Sequence, residues 1–292
     1  MRLTEFTDAE PGARAIAVGT FDGVHLGHRE VIEGADTVVT FEPHPVVVIA
    51  PARTPKLLTP LVVKAEIIAS LDVAELIVIR FDAAFAACTA TQFIDEVLVA
   101  KLAARSVSVG ENFRFGAGAQ GDAQLLAADG RFSARVTALR EVDGEIVSSS
   151  RIRSLIAAGE VAHAGVLLGR TFELRGVVIA GDSRGRELGF PTANLVPPDG
   201  LACPGHGVYA CLANGLPAAV NIGVRPTFGM GRAELIEVHL IDFDGDLYGT
   251  ELRLRFLARL RGERRFASVE ALIEEMHSDV ERARVICARE LR

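Results

Sequence analysis

At 292 residues and 49% hydrophobic composition, the chain is long enough for two ordinary domains and too apolar for a disordered segment. A formal net charge of −7 excludes a global field that gathers nucleic acid, and no apolar run reaches membrane-spanning length. Met1 to Glu5 lacks a signal-peptide core, and Cys88, Cys203, Cys211 and Cys287 show no pairing pattern, so a cytoplasmic protein is expected.

Ala15-Ile16-Ala17-Val18 is an apolar run of strand length. It leads into Gly19-Thr20-Phe21-Asp22-Gly23-Val24-His25-Leu26-Gly27-His28, after which Arg29 to Ile32 can begin a helix. Such a junction offers open backbone N–H groups and the positive end of a helix dipole, which suit a phosphate. Glycine allows close approach of the backbone, and His25 and His28 can add donors. The spacing also fits half a zinc site or a solvated turn. Zinc is the weaker option, because His44 sits in a proline-flanked loop and no cysteine stands at ligand spacing.

Thr37 to Phe41 reads as a buried strand that ends at Glu42-Pro43-His44-Pro45. Pro51 to Pro60 is irregular, and Pro60 can open a helix through Leu61, Val62, Ala65, Ile68 and Ala69. Glu75 to Phe81 is the next strand. Thr91 is expected to cap a helix through Phe93, Val97 and Leu102, and Ser106 to Val109 follows as a strand. The alternation predicts a parallel sheet with helices on both faces, and such sheets bind ligands beyond the carboxyl ends of their strands. Three loops converge there: the histidine loop, Glu42 to Pro45, and Gly110-Glu111-Asn112-Phe113.

Gly116-Ala117-Gly118-Ala119-Gln120-Gly121 spells G-x-G-x-x-G but joins no strand directly to a helix, so it is read as a mobile glycine-rich loop rather than a dinucleotide fingerprint. Ser148-Ser149-Ser150-Arg151-Ile152-Arg153 precedes a short helix ending near Gly159. It fits either an N-cap with solvated arginines or a phosphate clamp of hydroxyls and guanidinium.

From Thr171 the texture changes, with the domain boundary expected near Val161 to Arg170. Thr171 to Ala180, Gly207 to Ala213, Ala218 to Ile222, Ile236 to Ile241 and Glu251 to Leu257 read as strands, with Asn214-Gly215 a hairpin turn. Leu252, Leu254 and Phe256 alternate with Arg253 and Arg255, which predicts an antiparallel sheet closed into a small barrel. A helix from Ser268 carries Val269, Leu272, Ile273, Met276, Val280 and Ala283 on the face that packs against it.

The stretch from Gly181 to Asn194 is rich in glycine and arginine. It is compatible with an ordinary surface loop, or with one that wraps phosphates while the Thr192 hydroxyl and Asn194 carbonyl serve Mg²⁺. Alternation places Glu237 and His239 opposite Ile236, Val238 and Leu240; a lone strand carboxylate is ordinarily just solvent-facing. Asp242, Asp244 and Asp246 resemble a calcium loop with its glycine too early, and read as a turn.

Together these stretches resemble the bacterial bifunctional riboflavin kinase/FAD synthetases over nearly the whole chain. G-T-F-D-G-V-H-L-G-H, V-T-F-E-P-H-P, V-G-E-N-F-R-F-G and V-S-S-S-R-I-R are similar to the FMN adenylyltransferase module, a Rossmann-like nucleotidyltransferase fold. G-R-E-L-G-F-P-T-A-N-L, G-V-Y-A, N-I-G-V-R-P-T-F-G and I-E-V-H-L-I-D-F-D-G-D-L-Y-G are similar to the riboflavin kinase module, a six-stranded antiparallel barrel with a C-terminal helix.

The resemblance implies residues 1–165 for the first module and 166–292 for the second. It implies riboflavin, FMN and ATP as small-molecule substrates with Mg²⁺, and neither a nucleic-acid nor a membrane partner. His25 and His28 would stabilise the ATP phosphates during adenylyl transfer. Gly19, Phe21 and Gly23 would line that site, Asn112 would contact phosphate, and Ser148, Ser149 and Arg153 would close over it; Arg151 stands at the family's variable position. In the kinase module Gly181, Gly185 and Gly189 would wrap ATP, Thr192 and Asn194 would hold the metal, and Glu237 would act as base. Between His28 and Val38 the chain is shorter than the family pattern and leaves room for about two helical turns. FAD synthesis is therefore the weaker expectation, with a kinase-only protein as the alternative.

Overall fold

Strands buried on both faces require helices on both faces, and the first half of the chain supplies them in alternation. The computed structural model describes residues 1–179, 190–225 and 233–291, which form two compact units, Met1–Ser149 and Ser150–Arg292. In the first unit β1 (Arg2–Glu5), β2 (Arg14–Val18), β3 (Thr37–Glu42), β4 (Glu75–Arg80), β5 (Ala104–Gly110) and β6 (Ser133–Thr137) form one sheet of order β1-β4-β3-β2-β5-β6. Every neighbouring pair is parallel.

Alternate strand residues feed two cores. Ala17, Val38, Leu76 and Val78 pack beneath α1 (Leu26–Ile32) and α2 (Leu61–Ala69) through Ile32 and Ile68. Ile16, Val18, Val39, Ile77 and Val107 pack on the opposite face against Phe93, Val97 and Leu98. Helix α1 has seven residues, the two turns that the short spacing predicts. Phe93–Lys101 is wound as a π-helix, with Leu102 N–H donating to Val97 O at 3.0 Å. Its leading turn is capped at Thr89 rather than Thr91. The Thr89 hydroxyl accepts from Gln92 N–H, and the Gln92 carboxamide accepts from Thr89 N–H, a reciprocal capping box that Thr91 lacks. The Gly116 to Gly121 stretch forms a 3₁₀ turn inside a small hairpin that pairs Arg114 with Asp122 and Phe115 with Gly121.

The second unit carries α3 (Ser149–Ala158, whose first residue belongs to the first unit) and α4 (Val161–Leu168), the latter packed against the barrel. Strands β7 (Phe172–Ile179), β8 (Ala193–Val196), β9 (Gly207–Ala213), β10 (Leu216–Arg225), β11 (Ala233–Leu240) and β12 (Glu251–Arg261) close in the order β7-β8-β11-β10-β9-β12. All neighbours are antiparallel. Leu252, Leu254 and Phe256 fill the interior. Asn214 and Gly215 take φ of 48° and 87°, the two left-handed residues that a tight hairpin of this hand requires.

Strand β9 is buried along its whole length, because α5 (Val269–Glu290) covers its outer side. The contact stripe of that helix runs through Val280, Ala283 and Ile286, whereas Val269 is 54% exposed, so its first turn stands clear of the barrel. The Cys287 thiol donates to Cys211 O at 3.1 Å. No helix among the described residues is long and apolar enough to cross a membrane.

Candidate active sites

In the first unit the chain leaves β2 for β3 and β4 on one side and returns to β5 on the other. The crevice beyond the carboxyl ends of β2 and β5 is therefore the topological switch point, where open α/β sheets bind ligands. The Gly19 to His28 loop leaves β2 at this point, and Asn112, exposed, follows β5.

The loop is held in an uncommon shape. Phe21 and Val24 adopt φ of 48° and 39°, and Gly23 adopts 85°. For a non-glycine residue this region costs about 1–3 kcal/mol, and burial of Phe21 and Val24 in the core offsets it. Gly19 N–H donates to Val39 O at 3.1 Å and Gly23 N–H to Thr59 Oγ1 at 3.0 Å. These glycines shape the loop, and their amides are already engaged within the protein. Phe21, 1% exposed, belongs to the core and supports the loop from beneath.

His25 caps α1: its Nδ1 accepts from His28 N–H at 3.2 Å, which assigns the ring proton to Nε2. The two imidazoles stack with centroids 3.5 Å apart and planes 17° apart, and Phe21 meets His28 edge-on at 5.3 Å. The structure thus joins His25 and His28 into one block supported from the core. Ser149 Oγ donates to Asp22 O at 2.8 Å, which ties the residue after Ser148 to the same loop. Arg153 lies a turn further along α3, in the second unit, with Nη1 3.5 Å from Ser150 Oγ.

Beneath the loop lies a polar set that the sequence reading did not single out. Asp22 Oδ1 accepts from Leu58 N–H at 2.9 Å and Thr59 N–H at 3.1 Å. Lys64 Nζ donates to Thr20 O at 2.8 Å and Thr40 Oγ1 at 3.3 Å, and Thr40 Oγ1 donates to Thr20 O at 3.1 Å. Burial pushes the Lys64 ammonium below its ordinary pKa, while the charges of Asp22 and Glu42 act in the opposite sense. The available signal was a lysine on the covered side of the apolar helix Leu61-Val62-Val63-Lys64-Ala65.

In the barrel, alternation places Ile236, Val238 and Leu240 inward and Glu237 outward. Glu237 pairs with Asn194 on β8 and with Asn221 on β10, giving a row of three polar residues across three strands. Directly opposed residues of this kind have Cβ atoms roughly 4.5–5.5 Å apart. Asn221 Nδ2 donates to Glu237 Oε2 at 3.1 Å. Asn194 is buried and Thr192 half-buried at the entry to β8. His239 Nδ1 lies 2.9 Å from Pro191 O, and the Phe190 ring packs against His239 and His277, which fixes the approach to Thr192. Gly181, Gly185 and Gly189 lie outside the described residues.

A FAD synthetase family model matches residues 7–151, and a riboflavin kinase family model matches residues 168–287. A bifunctional riboflavin kinase/FMN adenylyltransferase of Escherichia coli strain K12 is 38% identical over 282 residues, covering 90% of each chain. Proteins of the same name from Listeria monocytogenes and Bacillus subtilis are each 37% identical. They cover 98% and 94% of this chain, and 95% and 92% of their own. A solved structure titled as a macrolide-efflux protein from Streptococcus pneumoniae has a TM-score of 0.89 at 28% identity, covering 97% of this chain and 99% of that one. The polar block at the switch point, the polar row on the barrel and these matches in chain order agree: the chain belongs to the family of bifunctional riboflavin kinase/FMN adenylyltransferases.

Proposed function

We propose that the barrel unit phosphorylates riboflavin to FMN and that the sheet unit adenylylates FMN to FAD, with ATP consumed at each step in the cytoplasm. The observation that carries this reading is that each unit holds a polar constellation of its own, the stacked His25 and His28 and the Asn194-Glu237-Asn221 row. The functional division assigned here is 1–165 for adenylyl transfer and 166–292 for the kinase.

In the kinase step Glu237 takes the proton of the ribityl hydroxyl as that oxygen attacks the γ-phosphorus and ADP leaves. The Asn221 donor occupies Oε2 and leaves Oε1 for the substrate. Thr192 and Asn194 offer neutral hard oxygens. Those neutral oxygens fit a Mg²⁺ ion that arrives carried by the ATP phosphates. Once bound, the ion neutralises charge on the transferring phosphoryl group.

In the adenylyl step an FMN phosphate oxygen attacks the α-phosphorus, the bond between α-phosphorus and bridging oxygen breaks, and pyrophosphate leaves. His25 and His28 donate to the phosphate oxygens as charge builds, with the His25 ring proton carried on Nε2. Gly19, Phe21 and Gly23 set the shape of this pocket. Asn112, Ser148 and Ser149 supply further phosphate contacts.

Two variants test the assignment. Glu237→Ala should lower FMN formation by at least ~10²-fold while FAD formation from supplied FMN survives. His28→Ala should do the reverse, losing ~10²–10³-fold in FAD formation with the kinase intact. Loss of both activities in either variant contradicts the separation of sites.

A further inference from the structure

Lys64 is 5% exposed and is absent from the steps above, yet it sits directly under the loop that carries both histidines. A cation buried this deeply needs acceptors, and it finds one in the backbone of the loop: the Thr20 carbonyl, 2.8 Å from Nζ. Thr40 Oγ1 donates to the same oxygen at 3.1 Å and receives from Lys64 at 3.3 Å. Two donors thus hold one peptide plane, at the residue between Gly19 and Phe21. The plane matters electrostatically. A carbonyl turned toward a triphosphate adds negative charge where negative charge is already concentrated, whereas one held inward spares the ligand that repulsion. It matters mechanically as well, because Phe21, next in the chain, takes φ of 48° and meets His28 edge-on. A change of tilt at Thr20 is passed to the His25–His28 stack.

We propose that Lys64, assisted by Thr40, is a positioning residue for adenylyl transfer, clamping the Thr20 carbonyl inward so that the histidine stack faces the phosphates in its reactive arrangement. This inference rests on the assignment of His28 to that step, and the test separates the two.

The test is a double-mutant cycle on the full chain. FAD formation from supplied FMN and MgATP is measured for Lys64→Met, His28→Ala and the pair, with kcat and KM determined separately and riboflavin phosphorylation measured on the same samples. Lys64→Met should lower kcat by ~10–10²-fold with KM for ATP changed only a few-fold, as expected when a misplaced group costs rate rather than binding. The double variant should be about as slow as His28→Ala alone, because residues acting as one unit are not additive. Riboflavin phosphorylation should be unchanged.

Multiplicative losses, or a wild-type kcat in Lys64→Met while His28→Ala is impaired, overturn the positioning role. A normal kcat in His28→Ala overturns the site assignment itself. Where Lys64→Met does not fold, the near-isosteric Thr40→Val decides the matter: it removes the second donor to Thr20 O and should lower kcat several-fold, without additivity to His28→Ala. An unchanged kcat in Thr40→Val then overturns the proposal.

Discussion

At the scale of single residues, Glu237 has no single feature that singles it out; its two cross-strand neighbours give it a role. Asn221 fixes one carboxylate oxygen at 3.1 Å, and the register sets Asn194 on its other side. Asn221→Ala removes the constraint and keeps the carboxylate proposed as base. Riboflavin phosphorylation should therefore fall about 10-fold, mainly in kcat, with FAD formation from FMN unaffected; steady-state kinetics on both reactions checks this. His25 and His28 stood out as a candidate phosphate site because two imidazoles at short spacing follow a strand among glycines, whereas Glu237 was singled out only through the family resemblance. Asn221 and Lys64 were not, because their significance lies in partners 16 and 44 residues away. Spacing along the chain carries no trace of contacts that only a sheet register or a loop over a helix creates.

At the scale of elements, the buried strands were readable and the edges were not. Strands β2, β3 and β4 announce themselves as apolar runs, whereas β1 and β6 are edge strands with exposed polar residues and carry no such run. The sixth barrel strand, β8, is four residues long and includes the buried polar Asn194, so residue patterning placed it in a loop. The amino end of the sheet is fixed by a buried carboxylate. Glu75, its side chain 7% exposed, accepts from Thr4 Oγ1 at 2.8 Å and from Arg14 Nη2 at 3.2 Å, and pairs with Arg2 at 2.7 Å. Burial pushes the Glu75 carboxyl up, but the Thr4 and Arg14 hydrogen bonds and the charges of Arg14 and Arg2 outweigh it and leave the group below its ordinary 4.5. A depressed carboxylate contributes stability above its unfolded pKa and loses it as pH falls through the folded value. Glu75→Gln should thus cost about 3 kcal/mol near neutral pH, and the gap to wild type should close as the pH falls below about 4.5. Urea unfolding across that range reads both the size and the sign.

At the scale of the whole molecule, two folds with different contact patterns share one chain, and their chemistry is sequential: the product of the barrel is the substrate of the sheet. The sequence texture revealed this organisation, because periodicity changes from alternating strands and helices to hairpin-linked strands near residue 170. The division into compact units falls earlier, at Ser149/Ser150, because α4 packs on the barrel, a tertiary preference that local composition does not encode. Incubating the purified chain with riboflavin and MgATP and separating the flavins by chromatography over time tests both activities most directly. FMN should accumulate first and then be converted to FAD with release of pyrophosphate. FMN that persists without FAD would contradict the adenylyl-transfer half, and riboflavin left unchanged would contradict both.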